Sequence, residues 1–262
     1  MKKLLILLLP VVFMYAKVKA QDLNLYRREN FISKTDTLPY RILLPENFDP
    51  AKKYPLLLVL HGVGERGIDN AAQLVHGGAL FIKPEVRRQF PAIVVFPQCP
   101  VNSYWSNVVI TTDPATHQRT FNFQKGESPT KAMAMLLNLT KMLRQKHYVN
   151  KKEFYVEGLS MGGMGTLEIL RRKPAYFAAA ISICGGDNPA NAKKYAKKVP
   201  LWFFHGGKDD VVTPDHSVTM VKAVKEAGGD PKFTLYPNDG HNSWDDAFAE
   251  PKLLPWLFSH KK

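Results

Sequence analysis

Cysteine is scarce in this chain, with only Cys99 and Cys184 among 262 residues. Two cysteines are too few for a disulfide framework, and no CxxC pair favours a zinc or redox site. Neither cysteine has a histidine near it in the sequence, so thiol catalysis is not indicated. Both follow predicted strands about three strand spacings apart, roughly 14 Å, which exceeds the reach of a disulfide. We expect two free or buried thiols.

Motifs for metals and nucleotides are also missing. The sequence has no GxxxxGK[ST], no HExxH and no clustered pair of carboxylates. Residues 62–67 do fit GxGxxG after an apolar run, but a dinucleotide site needs a helix at the third glycine and an acid closing the next strand. The next strand arrives later and ends in Pro97-Gln98-Cys99-Pro100. We therefore predict no cofactor and no metal.

Acidic residues are outnumbered, because 36 Lys and Arg face 23 Asp and Glu for a formal charge of +13. A basic surface could attract acidic polysaccharide or an anionic envelope. The basic residues are scattered, however, and no basic stripe interleaved with aromatics predicts nucleic-acid binding. Repeats, low-complexity stretches and Gly/Ser linkers are lacking as well. We favour an ordinary solvated surface, with no nucleic-acid partner.

Long apolar runs occur only at the N-terminus, where Lys2 and Lys3 precede an almost wholly apolar stretch, residues 4–16. Val18 and Ala20 then provide small residues for cleavage before Gln21, so residues 1–20 are predicted to be a secretory signal peptide. The alternative is an uncleaved anchor, but the run is short of the roughly 20 residues that span a bilayer. We expect an exported protein, periplasmic or secreted, without stable membrane insertion after cleavage.

The remaining residues, 21–262, alternate between short apolar runs and amphipathic segments, which predicts a single domain with a mostly parallel sheet and helices on both faces. One helix is expected to begin at Ser128-Pro129, with Ser128 as its N-cap and Pro129 at its first position. Another is expected from Thr213-Pro214, which repeats that start signal, to Gly228-Gly229. Six runs are predicted as buried strands, after an outer strand at 40–44: 56–60, 92–96, 154–156, 178–184, 201–204 and 233–236.

Two irregular segments, 63–90 and 100–127, follow strands whose carboxyl ends face the ligand crevice of such a sheet. The second segment carries the aromatic residues Tyr104, Trp105, Phe121 and Phe123. These side chains either line a binding cleft or anchor the loop to the body.

The strongest motif is Gly-x-Ser-x-Gly at 158–162, which follows a strand and opens a helical stretch. A serine on a sharp strand-to-helix turn stands clear of the sheet, and the flanking glycines let neighbouring backbone pass without a Cβ clash. The helix N-terminus also favours a developing negative charge. We therefore predict that Ser160 is a nucleophile.

A serine nucleophile needs a base, itself oriented by an acid, in the order Ser, acid, His. His241 lies in a glycine-containing loop after the last strand and is predicted to be the base. His205 and His61 also border glycines, but they lie at strand ends and read as structural. Asp209 is the favoured acid at the end of a strand, with Asp210 and Asp187 as alternatives.

An oxyanion hole requires two preorganised backbone donors. The N–H of Met161, directly after the nucleophile, is predicted to be one. The second is assigned to Val63, after the strand ending at residue 60, with Gly62 as the neighbouring alternative.

Taken together, these motifs make the sequence resemble the feruloyl, acetyl-xylan and related carboxylesterase branch of the α/β-hydrolases. The resembling segments span nearly the whole chain after residue 20: 41–45, 61–67 with 69–70, 97–100 with Trp105, 158–163, 205–212 and 240–244. The resemblance implies the Ser160, Asp209 and His241 triad and the Val63 and Met161 amides, and it implies that Trp105 borders the substrate. Thr213-Pro214 departs from the family pattern, in which valine or isoleucine is followed by a proline nearer the acid.

The sequence thus predicts a cofactor-free serine carboxylesterase of the α/β-hydrolase fold. Its expected partner is an ester substrate, with acylated polysaccharide favoured because of export, the aromatic segment and the resemblance. A serine peptidase with the same triad is the second hypothesis, with Glu65 or Asp69 available to hold a substrate amine. A non-catalytic binding protein on a hydrolase scaffold is the third.

Overall fold

The computed structural model describes residues 22–33 and 36–262. The predicted signal peptide, residues 1–20, lies outside the described residues. Within the described part of the chain, no helix combines the length and apolarity that crossing a membrane requires.

Ten strands and seven α-helices make up the regular structure of the described residues. The strands are β1 Arg27–Ser33, β2 Asp36–Leu43, β3 Tyr54–Leu60, β4 Ile93–Pro97, β5 Val108–Thr112, β6 Arg119–Phe123, β7 Val149–Leu159, β8 Ala179–Ile183, β9 Leu201–Gly206 and β10 Lys232–Tyr236. The helices are α1 Gly78–Phe81, α2 Pro84–Gln89, α3 Lys131–Gln145, α4 Met161–Arg172, α5 Asp215–Glu226, α6 Trp244–Ala249 and α7 Leu253–Ser259.

Eight strands form one sheet in the order β1-β2-β4-β3-β7-β8-β9-β10. The pairs of β2 with β1 and with β4 are antiparallel, and the pairs from β4 through β10 are parallel. The chain reverses its direction of travel across the sheet at β3, because β4 lies on one side of β3 and β7 on the other. Ligand crevices open at the carboxyl ends of strands around such a switch point. Leu60 pairs with Gly158 at that edge.

Helices cover both faces of this sheet, which confirms the predicted fold class. Along β3, Leu56 and Leu58 belong to the core shared with α3, α4 and α5, whereas Leu57 and Val59 belong to the core shared with α1, α6 and α7. Strands buried on both faces read as continuous apolar runs. This is why the central strands were recognisable in the sequence.

The structure corrects the predicted start of the first long helix. The helix α3 begins at Lys131, and its N-cap is Thr130, whose hydroxyl accepts a hydrogen bond from the Met133 N–H at 3.1 Å. Ser128 and Pro129 precede that cap instead of forming it. The expected Thr213-Pro214 start differs by one residue, since α5 begins at Asp215 with Pro214 at the cap.

The two segments expected to be irregular contain regular structure. Residues 63–90 include α1 and α2, and residues 100–127 include β5 and β6, which pair as an antiparallel hairpin apart from the main sheet. Most of the hairpin residues are exposed, so it lacks the apolar run that marks a core strand.

Candidate active site

Ser160 occupies the sharp turn between β7 and α4, at the carboxyl edge of the sheet. Its φ of 52° and ψ of −117° are unusual for a residue with a side chain. Such strain persists only where the surrounding structure enforces it. Here β7 before the turn and α4 after it enforce the geometry, because the last six residues of β7 and nearly all of α4 are buried.

The flanking glycines are required by close backbone contacts. A Cβ on Gly158 would lie 2.3 Å from the carbonyl oxygen of Gly162, and a Cβ on Gly162 would lie 1.9 Å from the carbonyl oxygen of Leu60. Both distances are far shorter than any contact a real Cβ makes. The turn and the end of β3 therefore touch backbone to backbone, as the Gly-x-Ser-x-Gly pattern predicted.

A line of hydrogen bonds joins the three side chains that the sequence singled out. Ser160 Oγ lies 2.9 Å from His241 Nε2, and His241 Nδ1 lies 2.8 Å from Asp209 Oδ2. These distances suit a hydroxyl proton leaving toward Nε2 while the carboxylate accepts from Nδ1–H. His241 comes from the loop after β10, and Asp209 from the turn after β9.

Asp209 is held by donors on both oxygens. Oδ1 accepts from the N–H groups of Val211 and Val212, each at 2.9 Å, and Oδ2 faces His241 and His205. Burial alone would raise the pKa of Asp209, but the hydrogen bonds from His205, His241 and Val212 outweigh it and hold that pKa well below its usual range. The carboxylate is therefore ionised at neutral pH.

The alternative acids lie elsewhere. Asp210 is exposed. Asp187 is buried, and its Oδ1 accepts from the Asn188 N–H at 2.7 Å and the Asn191 amide at 3.0 Å. Burial raises the pKa of Asp187 to about 7. Asp209 is thus the aspartate that the structure brings to His241.

The rival histidines have other partners. His61 accepts a hydrogen bond from the Cys99 N–H at Nε2, 2.9 Å away, and burial lowers its pKa to about 4. It therefore ties the loop after β3 to the loop after β4 as a neutral side chain. His205 is fully buried, and its Nε2 lies 2.8 Å from the Val212 carbonyl oxygen and 3.2 Å from Asp209 Oδ2.

The predicted oxyanion donors lie at the starts of helical segments. Met161 is the first residue of α4, and Val63 is the first residue of a 3-10 turn, Val63–Glu65. An N–H in a first position has no partner within its own helix and is available to a ligand. The loop that carries Val63 adjoins Ser160, since a Cβ on Gly62 would lie 3.8 Å from Ser160 Cβ. The donor role of both amides stays a prediction.

Trp105 is not where the sequence analysis expected it. Its side chain has 0% exposure and packs in the core, with its ring 5.5 Å from that of His61. A Cβ on Gly165 would lie only 2.5 Å from Trp105 Cβ. The expectation that Trp105 borders the substrate is therefore wrong for this conformation, and the indole anchors the loop to α4 instead.

The hairpin aromatics lie at the periphery of the site. Phe121 packs with Met164 of α4 and with Val212, near the acid turn. Phe121 and Phe123 both place their rings edge-on to His216, at 5.4 and 5.7 Å between centroids. These three rings line part of a surface cavity of about 310 Å³. The aromatic segment thus both anchors the loop and forms a cavity wall.

Cys184 is a neighbour that the sequence did not predict. It follows β8 with a positive φ of 40°, and its thiol, Asp209 and His241 offer ligand atoms within 4.8 Å of one another. That trio could in principle hold a metal ion, but Asp209 and His241 already bond each other, and burial raises the pKa of the thiol well above its usual range. Cys99 and Cys184 are both free and buried, as expected.

Asp69 and Glu65, the acids considered for holding a substrate amine, interact with other groups of the protein instead. Asp69 Oδ1 accepts from the N–H groups of Ala71 and Ala72 and from the Gln98 amide, all within 3.0 Å. It therefore caps the loop that it belongs to. Glu65 lies between two histidines, 3.6 Å from His76 and 4.0 Å from His61. No acidic pair converges beside Ser160 among the residues that the structure covers.

Comparisons with known proteins agree with this architecture. The model of the dienelactone hydrolase family matches residues 53–252. Among curated relatives, a bifunctional acetylxylan esterase/xylanase from Neocallimastix patriciarum is 24% identical over 83% of this chain, and a putative carboxymethylenebutenolidase from Yersinia pestis is 26% identical over 80%. The chain spans 28% of the first relative and 75% of the second.

Solved structures show the same fold. A thermostable esterase superposes with a TM-score of 0.80 at 32% identity, covering 92% of this chain and 64% of its own. A ferulic acid esterase from Anaeromyces mucronatus superposes with a TM-score of 0.61 at 15% identity, covering 86% of this chain and 87% of its own. The chain belongs to the dienelactone hydrolase family and has the α/β-hydrolase fold.

Proposed function

We propose that this chain is an exported serine carboxylesterase whose catalytic triad is Ser160, His241 and Asp209. The observation that carries the proposal is the unbroken line of hydrogen bonds, 2.9 Å from Ser160 Oγ to His241 Nε2 and 2.8 Å from His241 Nδ1 to Asp209 Oδ2. The strained backbone at Ser160 supports it further, since strain of this kind clusters at functional sites.

The reaction follows from these positions. Ser160 Oγ attacks the ester carbonyl while His241 Nε2 takes the hydroxyl proton, and the N–H groups of Met161 and Val63 stabilise the tetrahedral oxyanion. Protonated His241 gives its proton to the leaving alcohol, which leaves an acyl group on Ser160. Water, deprotonated by His241, then attacks the acyl group, and the acid departs as Ser160 recovers its proton. Asp209 remains an anion and stabilises the imidazolium in both halves.

The favoured substrates are acyl esters of carbohydrate. The support is the acetylxylan esterase relative, whose name states its substrate, together with the aromatic cavity beside α5. The proposal of export depends on residues 1–20 and predicts a mature protein that begins at Gln21, in the periplasm or outside the cell. N-terminal sequencing of the secreted or periplasmic protein tests this directly.

The catalytic proposal is tested with matched variants. Ser160→Ala should lose p-nitrophenyl acetate hydrolysis by at least a thousandfold, because it removes the nucleophile. Asp209→Asn should lose roughly a thousandfold or more, because the amide cannot stabilise the imidazolium. Asp210→Asn is the control and should keep the parent rate, since Asp210 is exposed next to the same turn. Full activity in Ser160→Ala would overturn the mechanism.

The substrate is tested with a panel of methyl ferulate, acetylated xylan, short p-nitrophenyl esters and aminoacyl naphthylamides. Ester turnover with a preference for acetylated xylan or methyl ferulate would support the substrate proposal. Preferential cleavage of the naphthylamides would replace it with the peptidase hypothesis. A fluorophosphonate that failed to label Ser160 would instead favour a binding protein.

A further inference from the structure

A second histidine lies behind the catalytic acid, at the end of β9. His205 has no exposed surface, and neither has Ser217, its neighbour on α5. Its Nδ1 lies 2.7 Å from Ser217 Oγ, and its Nε2 lies 2.8 Å from the Val212 carbonyl oxygen and 3.2 Å from Asp209 Oδ2. The imidazole is thus bonded at both nitrogens inside the protein.

The partners determine where the proton of His205 lies. The Val212 carbonyl oxygen and the ionised Asp209 oxygen can only accept, so Nε2 carries the hydrogen. Nδ1 lies 2.7 Å from the Ser217 hydroxyl, which donates to the Gly185 carbonyl oxygen at 3.3 Å. The single Nε2–H is shared between the backbone and the side chain of one turn, Asp209 to Val212, with the shorter bond to the backbone.

This sharing completes the set of donors around the acid. Asp209 Oδ1 is held by two backbone N–H groups, and Oδ2 is held by His241 on one side and His205 on the other. Without His205, the buried Val212 carbonyl would lose its partner, and Oδ2 would be restrained by His241 alone. A carboxylate that must orient a base loses catalytic effect when it can turn.

We propose that His205 is a positioning residue for the esterase reaction, whose Nε2–H bridges Asp209 Oδ2 and the Val212 carbonyl and thereby fixes the carboxylate against His241. The inference rests on the proposed triad and goes beyond it, because it assigns a role to a side chain that never touches the reacting atoms. Ser217 supports the bridge by holding the ring of His205 at Nδ1.

The bridge has a signature in the pH profile. The titratable groups around His205 are Asp209 after β9, Cys184 after β8, His216 on α5 and His241 after β10. Cys184 stays neutral in this range because burial raises its pKa. Removing a donor from Asp209 leaves its negative charge less dispersed, which favours the protonated form of His241. The acid limb of the rate profile should therefore move to higher pH.

The test compares two amides of different reach, His205→Asn and His205→Gln. The Gln amide extends to about the position of Nε2 and carries two hydrogens, one for each acceptor, whereas the Asn amide is too short to reach them. Active sites are counted with a fluorophosphonate, so that kcat refers only to folded, labelled enzyme. The substrate is p-nitrophenyl acetate across a range of pH.

We expect His205→Asn to lose roughly tenfold in kcat per labelled active site, with KM nearly constant. The acid limb of its pH–rate profile should move to higher pH by several tenths of a unit. His205→Gln should recover most of both losses, and Ser217→Ala should show a smaller loss in the same direction. The inference is overturned if His205→Asn keeps the parent kcat and acid limb, if the limb moves down, or if His205→Gln is no better. Because Ser160→Ala tests the triad separately, failure of the triad and failure of this inference give different results.

Discussion

A buried glutamate three residues before Ser160 should make the stability of this protein fall as the pH rises. Glu157 lies in the middle of the sheet, paired between Val59 of β3 and Ile181 of β8, and has no exposed surface. Neither of its carboxyl oxygens has a hydrogen-bond partner among the described residues. Burial therefore raises its pKa from 4.5 to about 8.

The sign and size follow from linkage. The folded state holds the proton up to about pH 8, whereas the unfolded chain releases it near pH 4.5, so rising pH favours unfolding between these values. The slope for one proton is about 1.4 kcal/mol per pH unit. Between pH 4.5 and about pH 8 the free energy of unfolding falls by roughly 4 to 5 kcal/mol, and above pH 8 this contribution no longer changes.

The perturbation is Glu157→Gln, which has nearly the same shape and cannot ionise. The assay is the free energy of urea unfolding of both proteins at each unit from pH 5 to pH 9. We expect the variant to match the parent near pH 5 and to exceed it increasingly up to pH 8. The other titrating groups, including Asp187, are common to both proteins and cancel in the difference. A difference independent of pH would refute the assignment of a neutral, buried Glu157.

Two further predictions concern packing around the site. Iodoacetamide should leave both thiols of the native protein unmodified at pH 8 and should alkylate both in urea. The reason is burial, which raises the pKa of Cys99 to about 12 and that of Cys184 well above its usual range. Rapid alkylation of the native protein, measured by intact mass, would contradict this prediction. Gly165→Ala should destabilise the fold by roughly 1–3 kcal/mol, since its Cβ would collide with Trp105, whereas Gly64→Ala, with no atom within 4 Å, should change stability by less than about 0.5 kcal/mol. Equal unfolding free energies for these two variants would contradict the packing of Trp105.

The sequence predicted those parts of the fold in which burial produces a recognisable run of apolar residues. Strands such as β3 and β8, buried on both faces, read as short apolar runs, and their order with the intervening helices fixed the fold class. The edge strand β1 was missed because most of its residues are exposed and polar. The hairpin of β5 and β6 was missed for the same reason.

The candidate site divides in a similar way. Ser160, Asp209 and His241 were found because each follows a strand in a fixed chain order, so topology alone brings them to one edge of the sheet. The burial of Trp105 against Gly165 and the approach of Cys184 to His241 depend on packing between distant elements. No local pattern encodes such contacts. The role of His205 could have been suspected only from its place four residues before the acid.

The backbone contact between Gly162 and Leu60 has a consequence for how relatives of this protein can diverge. Because main-chain atoms set the gap between the turn at Ser160 and the end of β3, substitutions that resize side chains elsewhere leave that gap unchanged. Exchanges of side chains around the turn can thus accumulate while the spacing between the turn and the end of β3 stays the same.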